Sequence, residues 1–250
     1  MKVEHCFILF ACLVLLIPAV SRMFKKEFSS TTFKILLLIV ACSLASIIAL
    51  RIAKYGMPIL RNIFDILIII SFLISIGFQF SLIRDSQFQV IATLFLLVLI
   101  LCSMPLSSGT AKTKYLPPVL KSLYFYLHIP AYIIAYALLL IAFAVSIYTY
   151  CLPARYVQYS THISQLMKAS FWFMNLGIIF GALWAEQAWG SFWMWDIKEN
   201  FSLAILLSQS LYFHSGEKRK ISFLIIVLTT LLVFINLFGV NFIKRGLHAY

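Results

Sequence analysis

The segment from Leu123 to Cys151 reads LYFYLHIPAYIIAYALLLIAFAVSIYTYC, and it decides the fold. It contains no Asp, Glu, Lys or Arg, and its one histidine, His128, lies near its start. A helix that crosses about 30 Å of hydrocarbon needs about 20 mostly apolar residues. Leu123–Cys151 therefore predicts a transmembrane helix that carries an imidazole near one membrane face.

The composition extends this prediction to the whole chain. Of the 250 residues, 63% are hydrophobic and 11% are charged, and the mean hydropathy is +1.00. Such a chain cannot supply both a soluble core and a wet surface, so we predict an integral membrane protein. A net charge of +12 would suggest nucleic acid in a soluble protein. Here Lys and Arg gather between apolar segments, where they anchor helix ends, and we expect no nucleic-acid binding.

Apolar segments recur along the chain and predict about eight transmembrane helices. They are residues 6–20, 34–53, 63–83, 88–106, 123–151, 170–185, 201–214 and 221–240. We therefore predict an all-α integral membrane protein with a single membrane domain over residues 1–250. The first segment is interpreted as a retained helix, with a signal peptide as the alternative. The seventh is short and carries Ser and Gln, which favours a helix that faces protein or a cavity.

The loop charges do not orient this bundle. Cytoplasmic loops of membrane proteins normally carry the excess of Lys and Arg. In an eight-helix arrangement the two sides carry equal numbers of them, with Lys168 counted on one side and Arg51 on the other. The sequence by itself thus predicts no orientation.

A tryptophan-rich segment lies between the sixth and seventh apolar segments. Residues 184–200 read WAEQAWGSFWMWDIKEN and hold four of the five tryptophans of the chain, together with Asp196. If the segment is helical, Trp189 and Trp193 share one face, four residues apart. An interfacial aromatic belt is one interpretation. The concentration of indoles in one short segment favours the other, a surface for a large, flat, conjugated ligand, to which Trp184 and Trp195 also contribute.

Three histidines are placed where they could bind such a ligand through iron. His128 and His248 are both expected at the membrane face that carries the tryptophans. His214 ends the seventh segment at the opposite face. His5, near the start of the chain, and His162, in a predicted loop, are interpreted as solvated bystanders.

These motifs resemble a known family. WAEQAWGSFWMWDIKEN resembles the tryptophan-rich WWD segment of the CcsA/ResC cytochrome c biogenesis proteins, whose pattern is close to WAxxAWGxYWxWDPKET. GVNFIKRGLHAY is similar to the GVNLLxxGLHSYG ending of that family, SLYFH to its YLH and LHIPAYIIAYALL to its LHV helix. RIAKYGMPILRNIFDIL is a weaker match to its N-terminal part. The tryptophan-rich segment departs from the pattern at Ile197, where the family usually has Pro, and at Asn200, where it has Thr. The loss of Pro frees the backbone after Asp196 and could let the tryptophan helix run on.

The resemblance implies a haem site. His128 and His248 would be the axial ligands of an outer haem b that lies on Trp189, Trp193, Trp195 and Asp196. His214 would bind the iron of an inner, membrane-embedded haem. It also implies three partners: a separate CcsB/ResB-type membrane protein, an apocytochrome c with a CxxCH motif and a thioredoxin-like thiol reductant. The tryptophan segment would lie outside the cytoplasm, and we expect a bacterial inner membrane.

The resemblance also implies a function, the presentation of haem and its covalent attachment to apocytochrome c. Thioether formation would then proceed by positioning, with no catalytic residue assigned in this chain. One alternative is a CcmC-like protein that passes haem to a chaperone without ligation; such proteins typically have six spans. An alternative of another class is a transporter or lipid-binding protein whose tryptophans form only an interfacial belt.

Overall fold

The computed structural model describes residues 3–24, 29–55, 62–81, 83–108, 121–215 and 218–239. Within these ranges every secondary-structure element is a helix. The helices are α1 (Val3–Met23), α2 (Ser30–Tyr55), α3 (Ile63–Gln79), α4 (Ser86–Ser103), α5 (Leu123–Cys151), α6 (Tyr156–Trp189), α7 (Ile197–His214) and α8 (Arg219–Phe234). Short 3-10 turns follow α4 and α5, at Met104–Ser108 and Pro153–Arg155, and a π turn at Ile235–Gly239 follows α8.

The all-α membrane character predicted from the sequence is confirmed. Six helical stretches of the described chain are long and apolar enough to cross a membrane; they are Val3–Arg22, Ser30–Tyr55, Ser86–Leu106, Leu123–Cys151, Pro153–Trp189 and Arg219–Phe238. The helix α3 is apolar but shorter, and α7 is in neither set. Eight membrane crossings therefore remain a prediction, although each predicted segment has a helix.

The helix α6 begins earlier than predicted, at Tyr156 rather than near residue 170. His162 and Lys168 therefore lie on a helix, and their assignment to a connecting loop is wrong. Polar residues lower the hydropathy of the first half of α6. A search for long apolar segments therefore did not find it. Its buried side chains nevertheless follow a helical spacing of three and four, at 163, 167, 170, 174 and 177.

The chain divides into two compact units, residues 1–114 and 115–250. In the first unit, α1 packs on α2 and α4, and α3 packs on α2 and α4. In the second, α5 packs on α6 and α8, and α7 packs on α6 and α8. The single membrane domain over residues 1–250 stays a prediction.

The first unit buries a cluster of charged side chains from three helices. Arg51 of α2 is 2% exposed and forms ion pairs with Asp65 of α3 and, at 3.5 Å, with Glu4 of α1. Its guanidinium also lies 4.8 Å from the centre of the Phe64 ring. Arg51 is therefore an internal residue, and its treatment as a cation at the membrane surface is wrong.

The second unit is joined by neutral polar contacts. The Gln209 amide of α7 donates to the hydroxyl of Ser170 on α6 (2.7 Å), which donates to the Ala135 carbonyl of α5 (2.8 Å). The Asn236 amide donates to the Tyr136 hydroxyl (3.0 Å). Such contacts are the usual polar links between helices in a bilayer, because lipid supplies no alternative partner. They hold α5, the helix of His128, against its neighbours.

Candidate functional site

The start of α5 is fixed by a capping serine. The Ser122 hydroxyl accepts a hydrogen bond from the Tyr124 backbone N–H at 3.3 Å, which satisfies one of the unpaired donors at a helix start. The same hydroxyl donates to the Gln187 side chain near the end of α6, at 2.6 Å. The first turns of α5 thus lie beside the last turns of α6, and His128 faces that junction.

A hydrogen bond and contacts with two aromatic rings hold the His128 imidazole. Its Nδ1 lies 2.8 Å from the backbone carbonyl oxygen of Gly177 on α6. The Trp184 ring is stacked nearly parallel to it, with centroids 6.2 Å apart and an angle of 24°. The Tyr132 ring, one turn along α5, meets it edge-on at 4.9 Å. The imidazole is half-buried in this position.

Two glycines of α6 make room for these rings. A β-carbon added at Gly181 would lie 2.5 Å from His128 Nδ1, and one added at Gly177 would lie 2.7 Å from the Tyr132 ring. Neither distance is possible for real atoms, so both positions require glycine while the rings stay in place. The sequence analysis missed these residues. Their signal is the small-xxx-small spacing in GIIFG, residues 177–181, which lets membrane helices approach closely.

The four tryptophans of residues 184–200 form two pairs. Trp184 is 1% exposed, packs against Phe125 and meets Trp189 edge-on at 6.1 Å. Trp193 meets Trp195 edge-on, also at 6.1 Å. Trp184 is therefore a core residue behind His128, whereas the Trp195 ring is 69% exposed.

The helix that carries Trp189 ends there, and the segment beyond it is not helical. Gly190 adopts a left-handed conformation with φ +72°, and its N–H donates to the Glu186 carbonyl at 2.9 Å. This is a common way to terminate a helix, because glycine has no β-carbon to clash. The prediction that Trp189 and Trp193 share one helical face is therefore wrong. Trp193 lies in the connection 190–196.

Asp196 and Glu199 build the turn that follows. They form a capping box, in which the Asp196 carboxylate caps the start of α7 and the Glu199 carboxylate accepts from the backbone N–H of Asp196 at 3.0 Å. The Glu199 carboxylate also accepts from the Met194 N–H, at 2.9 Å. The Asn200 amide donates to the Trp195 carbonyl at 3.0 Å, and Trp195 has the unusual φ of +58°. These polar side chains therefore fix the backbone that presents Trp195.

Ile197 occupies the first position of α7, and α6 does not run on into α7, although the loss of proline would have allowed it. The first helical position is the one that proline favours, because its N–H has no partner within the helix. Here the Ile197 N–H donates to the Asp196 carboxylate instead. The exchange of proline for isoleucine thus leaves the break between α6 and α7 intact.

The other predicted iron ligands lie elsewhere. His214 is exposed at the end of α7, with its Nδ1 2.8 Å from the Ser210 carbonyl. The 18 residues of α7 span about 27 Å. His214 is therefore far from the connection 190–196, here called the tryptophan turn, which lies at the other end of that helix. His248 lies outside the described residues. The structure thus brings together His128, Trp184 and Trp189, and it places His214 apart from them.

Comparison with known proteins decides the family. The model of the cytochrome c assembly protein family matches residues 2–248. The chain belongs to this family. The resemblance predicted from the tryptophan segment and the histidine motifs is thereby confirmed.

Relatives named cytochrome c biogenesis protein CcsA support the same family. The protein of Chlamydomonas reinhardtii is 32% identical over 180 residues, which are 65% of this chain and 50% of that protein. The protein of Cuscuta exaltata is 37% identical over 90 residues, 34% of this chain and 29% of that protein. The protein of Guizotia abyssinica is 34% identical over 102 residues, 39% of this chain and 32% of that protein. The chain spans about half the length of these relatives or less.

The side chains around His128 fit the haem that cytochrome c assembly involves. An imidazole that binds iron through one nitrogen normally donates the other N–H to a carbonyl or carboxylate, as His128 does to Gly177. The neighbouring indole and phenol rings supply flat apolar surface. Trp189 adds a buried indole N–H that has no acceptor within the described part of the chain. A haem carboxylate or other acceptor would satisfy this donor.

Proposed function

We propose that this protein takes part in cytochrome c maturation by binding haem b at His128 and presenting it for covalent attachment to apocytochrome c. The observation that carries the proposal is the half-buried His128 imidazole, whose Nδ1 is bonded to a backbone carbonyl and whose ring contacts those of Tyr132 and Trp184. Membership of the cytochrome c assembly family supports it. Because the chain belongs to this family, a transporter or lipid-binding protein is the weaker interpretation of the tryptophan-rich segment.

The role of the chain in this reaction is positioning. Each thioether forms when a cysteine thiol of a CxxCH segment adds across a haem vinyl group; the sulfur bonds to one vinyl carbon and the thiol proton goes to the other. No oxidant is consumed, provided that both thiols are reduced, and a thioredoxin-like reductant would supply that state. His128 would bind the haem iron, and Trp189, Trp193, Trp195 and Asp196 would form the surface on which the haem lies. Fixing both reactants in one orientation lowers the entropic part of the barrier.

The remaining ligands and partners belong to the same proposal. His248 would bind the same iron, and His214 would hold an inner haem, on the membrane side from which haem arrives. A CcsB/ResB-type membrane protein completes the complex. Membership of the family supports the placement of the tryptophan turn outside the cytoplasm, and a bacterial inner membrane stays our prediction. Side-specific cysteine labelling of the loops around Lys112 and Lys218 tests the orientation.

Absorption spectra of the purified protein, with its CcsB/ResB-type partner co-expressed, test the haem site. We expect the wild type to carry a low-spin haem with two nitrogen ligands. His128→Gly should lose or oxidise this haem until added imidazole restores it. His128→Asn is the matched variant, because the Asn amide can still donate to Gly177 but has no nitrogen in place of Nε2. It should fold normally and lose the haem, and added imidazole should restore the haem less fully than in His128→Gly, because the Asn side chain occupies part of the space.

Two results would contradict the proposal. The first is a wild-type complex that contains no haem. The second is a His128→Gly spectrum identical to that of the wild type.

A CcmC-like delivery of haem to a chaperone is the second candidate. It is favoured by the six helical stretches of the described chain that are long and apolar enough to span a membrane. It predicts the same spectra but no covalent product. Incubation of the haem-loaded complex with a reduced apocytochrome c, followed by a haem stain of the denatured protein, separates the two functions. A stained cytochrome band supports ligation, and its absence supports delivery.

A further inference from the structure

We propose that Gly177 and Gly181 are positioning residues that select Nε2 of His128 as the iron-binding nitrogen. This inference rests on the proposed function, because it assumes that His128 binds haem. It adds a role for two residues of α6 that carry no side-chain chemistry of their own.

The proton on the imidazole is placed by Gly177. A backbone carbonyl oxygen only accepts hydrogen bonds, so at 2.8 Å the His128 Nδ1 must carry a hydrogen and donate it. In the neutral ring the lone pair then lies on Nε2. Neutral imidazole with a lone pair is the form that binds a metal, and a carbonyl partner on the other nitrogen fixes that tautomer.

The space for the ring is provided by Gly181. Its missing β-carbon would lie 2.5 Å from Nδ1 and 2.6 Å from Cε1 of His128. The imidazole therefore rests directly against the backbone of α6. Any side chain at position 181 moves the ring away from this helix, and the bond to the Gly177 carbonyl lengthens or breaks.

The orientation of the ring plane is set by its neighbours. Trp184 lies nearly parallel to the imidazole and Tyr132 meets it edge-on. Tyr132 is itself held in the space that Gly177 leaves, because a β-carbon there would lie 2.7 Å from its ring. Gly177 thus acts on His128 twice, through its carbonyl and through Tyr132, whereas Gly181 acts by direct contact.

Substitution of one glycine at a time tests this assignment. Gly181→Ala should displace the imidazole and weaken iron ligation by about 10- to 100-fold, the effect usual for loss of a supporting contact to a metal ligand. The readout is the low-spin absorption of the purified haem complex, together with its restoration by added imidazole. Gly177→Ala keeps the carbonyl and should give a smaller loss. Ile179→Ala lies between them on the exposed face of α6 and should leave the spectrum unchanged.

A measurement without haem separates positioning from a general packing defect. The melting temperature of the detergent-solubilised protein is compared for Gly181→Ala in the wild-type and in the His128→Ala background. If the added methyl group clashes with the imidazole, its destabilising effect should disappear once the ring is removed. An equal fall in both backgrounds would show that Gly181 packs against something else and would overturn the proposal.

The failures of the two proposals are distinguishable. If His128→Gly changes the haem spectrum but Gly181→Ala does not, the haem site stands and the positioning role is wrong. If neither variant changes it although Gly181→Ala is destabilised only when His128 is present, the packing is as described but His128 is not a haem ligand. That result would overturn both the proposed function and the inference that rests on it.

Discussion

The two units of this protein bury ionisable groups in opposite ways. In the first, the Arg51 guanidinium is bound by the carboxylates of Glu4 and Asp65, so its charge is compensated by side chains of two other helices. In the second, the His128 imidazole donates to a neutral backbone carbonyl and is surrounded by aromatic rings. The charges of the first unit bind one another and hold helices together. The imidazole of the second unit is held at Nδ1 by a backbone carbonyl and suits a ligand.

The largest expected effect comes from breaking the charge cluster of the first unit. Arg51→Met leaves two buried carboxylates without their cation, and removing one partner of a buried ion pair costs about 3 to 5 kcal/mol. We expect a marked fall in the melting temperature of the solubilised protein. Lys54→Met is the matched control, since Lys54 is on the same helix but exposed, and it should cost less than about 0.5 kcal/mol.

Neutralising the whole cluster sharpens this comparison. The triple variant Arg51→Met, Glu4→Gln, Asp65→Asn removes the uncompensated carboxylates as well as the cation. If the cluster acts only by mutual compensation, the triple variant should regain much of the stability lost by Arg51→Met. A triple variant as unstable as the single one would show that Arg51 has a further role in the first unit.

A smaller effect is expected from the neutral contacts of the second unit. Ser170→Ala removes the link between the Gln209 amide and the Ala135 carbonyl, and it leaves buried polar atoms without partners. The expected loss in the free energy of unfolding is about 1 to 2 kcal/mol. It is measured by thermal or denaturant unfolding in detergent. Ser160→Ala is the control, because the Ser160 hydroxyl donates to the Val157 carbonyl of its own helix. A loss as large as that of Ser170→Ala would contradict the linking role.

The cap of α7 gives a test at the edge of the candidate site. Asp196→Ala removes the carboxylate that caps α7, and we expect a loss of about 1 kcal/mol. Asp196→Asn should stay within about 0.5 kcal/mol of the wild type, because Asn caps a helix about as well as Asp. Both variants are compared by melting temperature and by the haem spectrum. A normal fold with an altered spectrum in Asp196→Asn would show that the charge of Asp196 acts on haem and not only on the backbone.

The sequence predicted the helices well where hydrophobicity alone decides them. Leu123–Cys151 is a single apolar segment, and α5 has those same ends. It predicted helix ends less well where polar residues lie on a helix, as in the first half of α6. Only one side of that helix is buried, so the length of apolar sequence does not reveal it. Arg51 was misplaced for the related reason that its partners, Glu4 and Asp65, come from distant parts of the chain.

The candidate site was likewise predicted only in part from the sequence. The residue types of the site, His128 and the tryptophans, could be found from spacing and resemblance. Their pairing could not, since it depends on where α6 ends, and Gly190 is one of several glycines that could have ended it. The glycine spacing in GIIFG predicts that two helices approach closely, but not that the glycines lie against His128 and Tyr132. Which rings fill that contact depends on the register of α5 against α6.

The smallest expected effect tests how α6 and α7 are separated. Ile197→Pro restores the residue typical of the family, at the first position of α7, where the fixed φ of proline suits a helix start. It removes the N–H that donates to Asp196, but Asp196 also accepts a bond from the backbone of Glu199 in the capping box. We therefore expect stability within about 0.5 kcal/mol of the wild type and an unchanged haem spectrum. A loss of several degrees in melting temperature would mean that the chain relies on the Ile197 N–H, and that its tryptophan turn is held differently from that of its relatives.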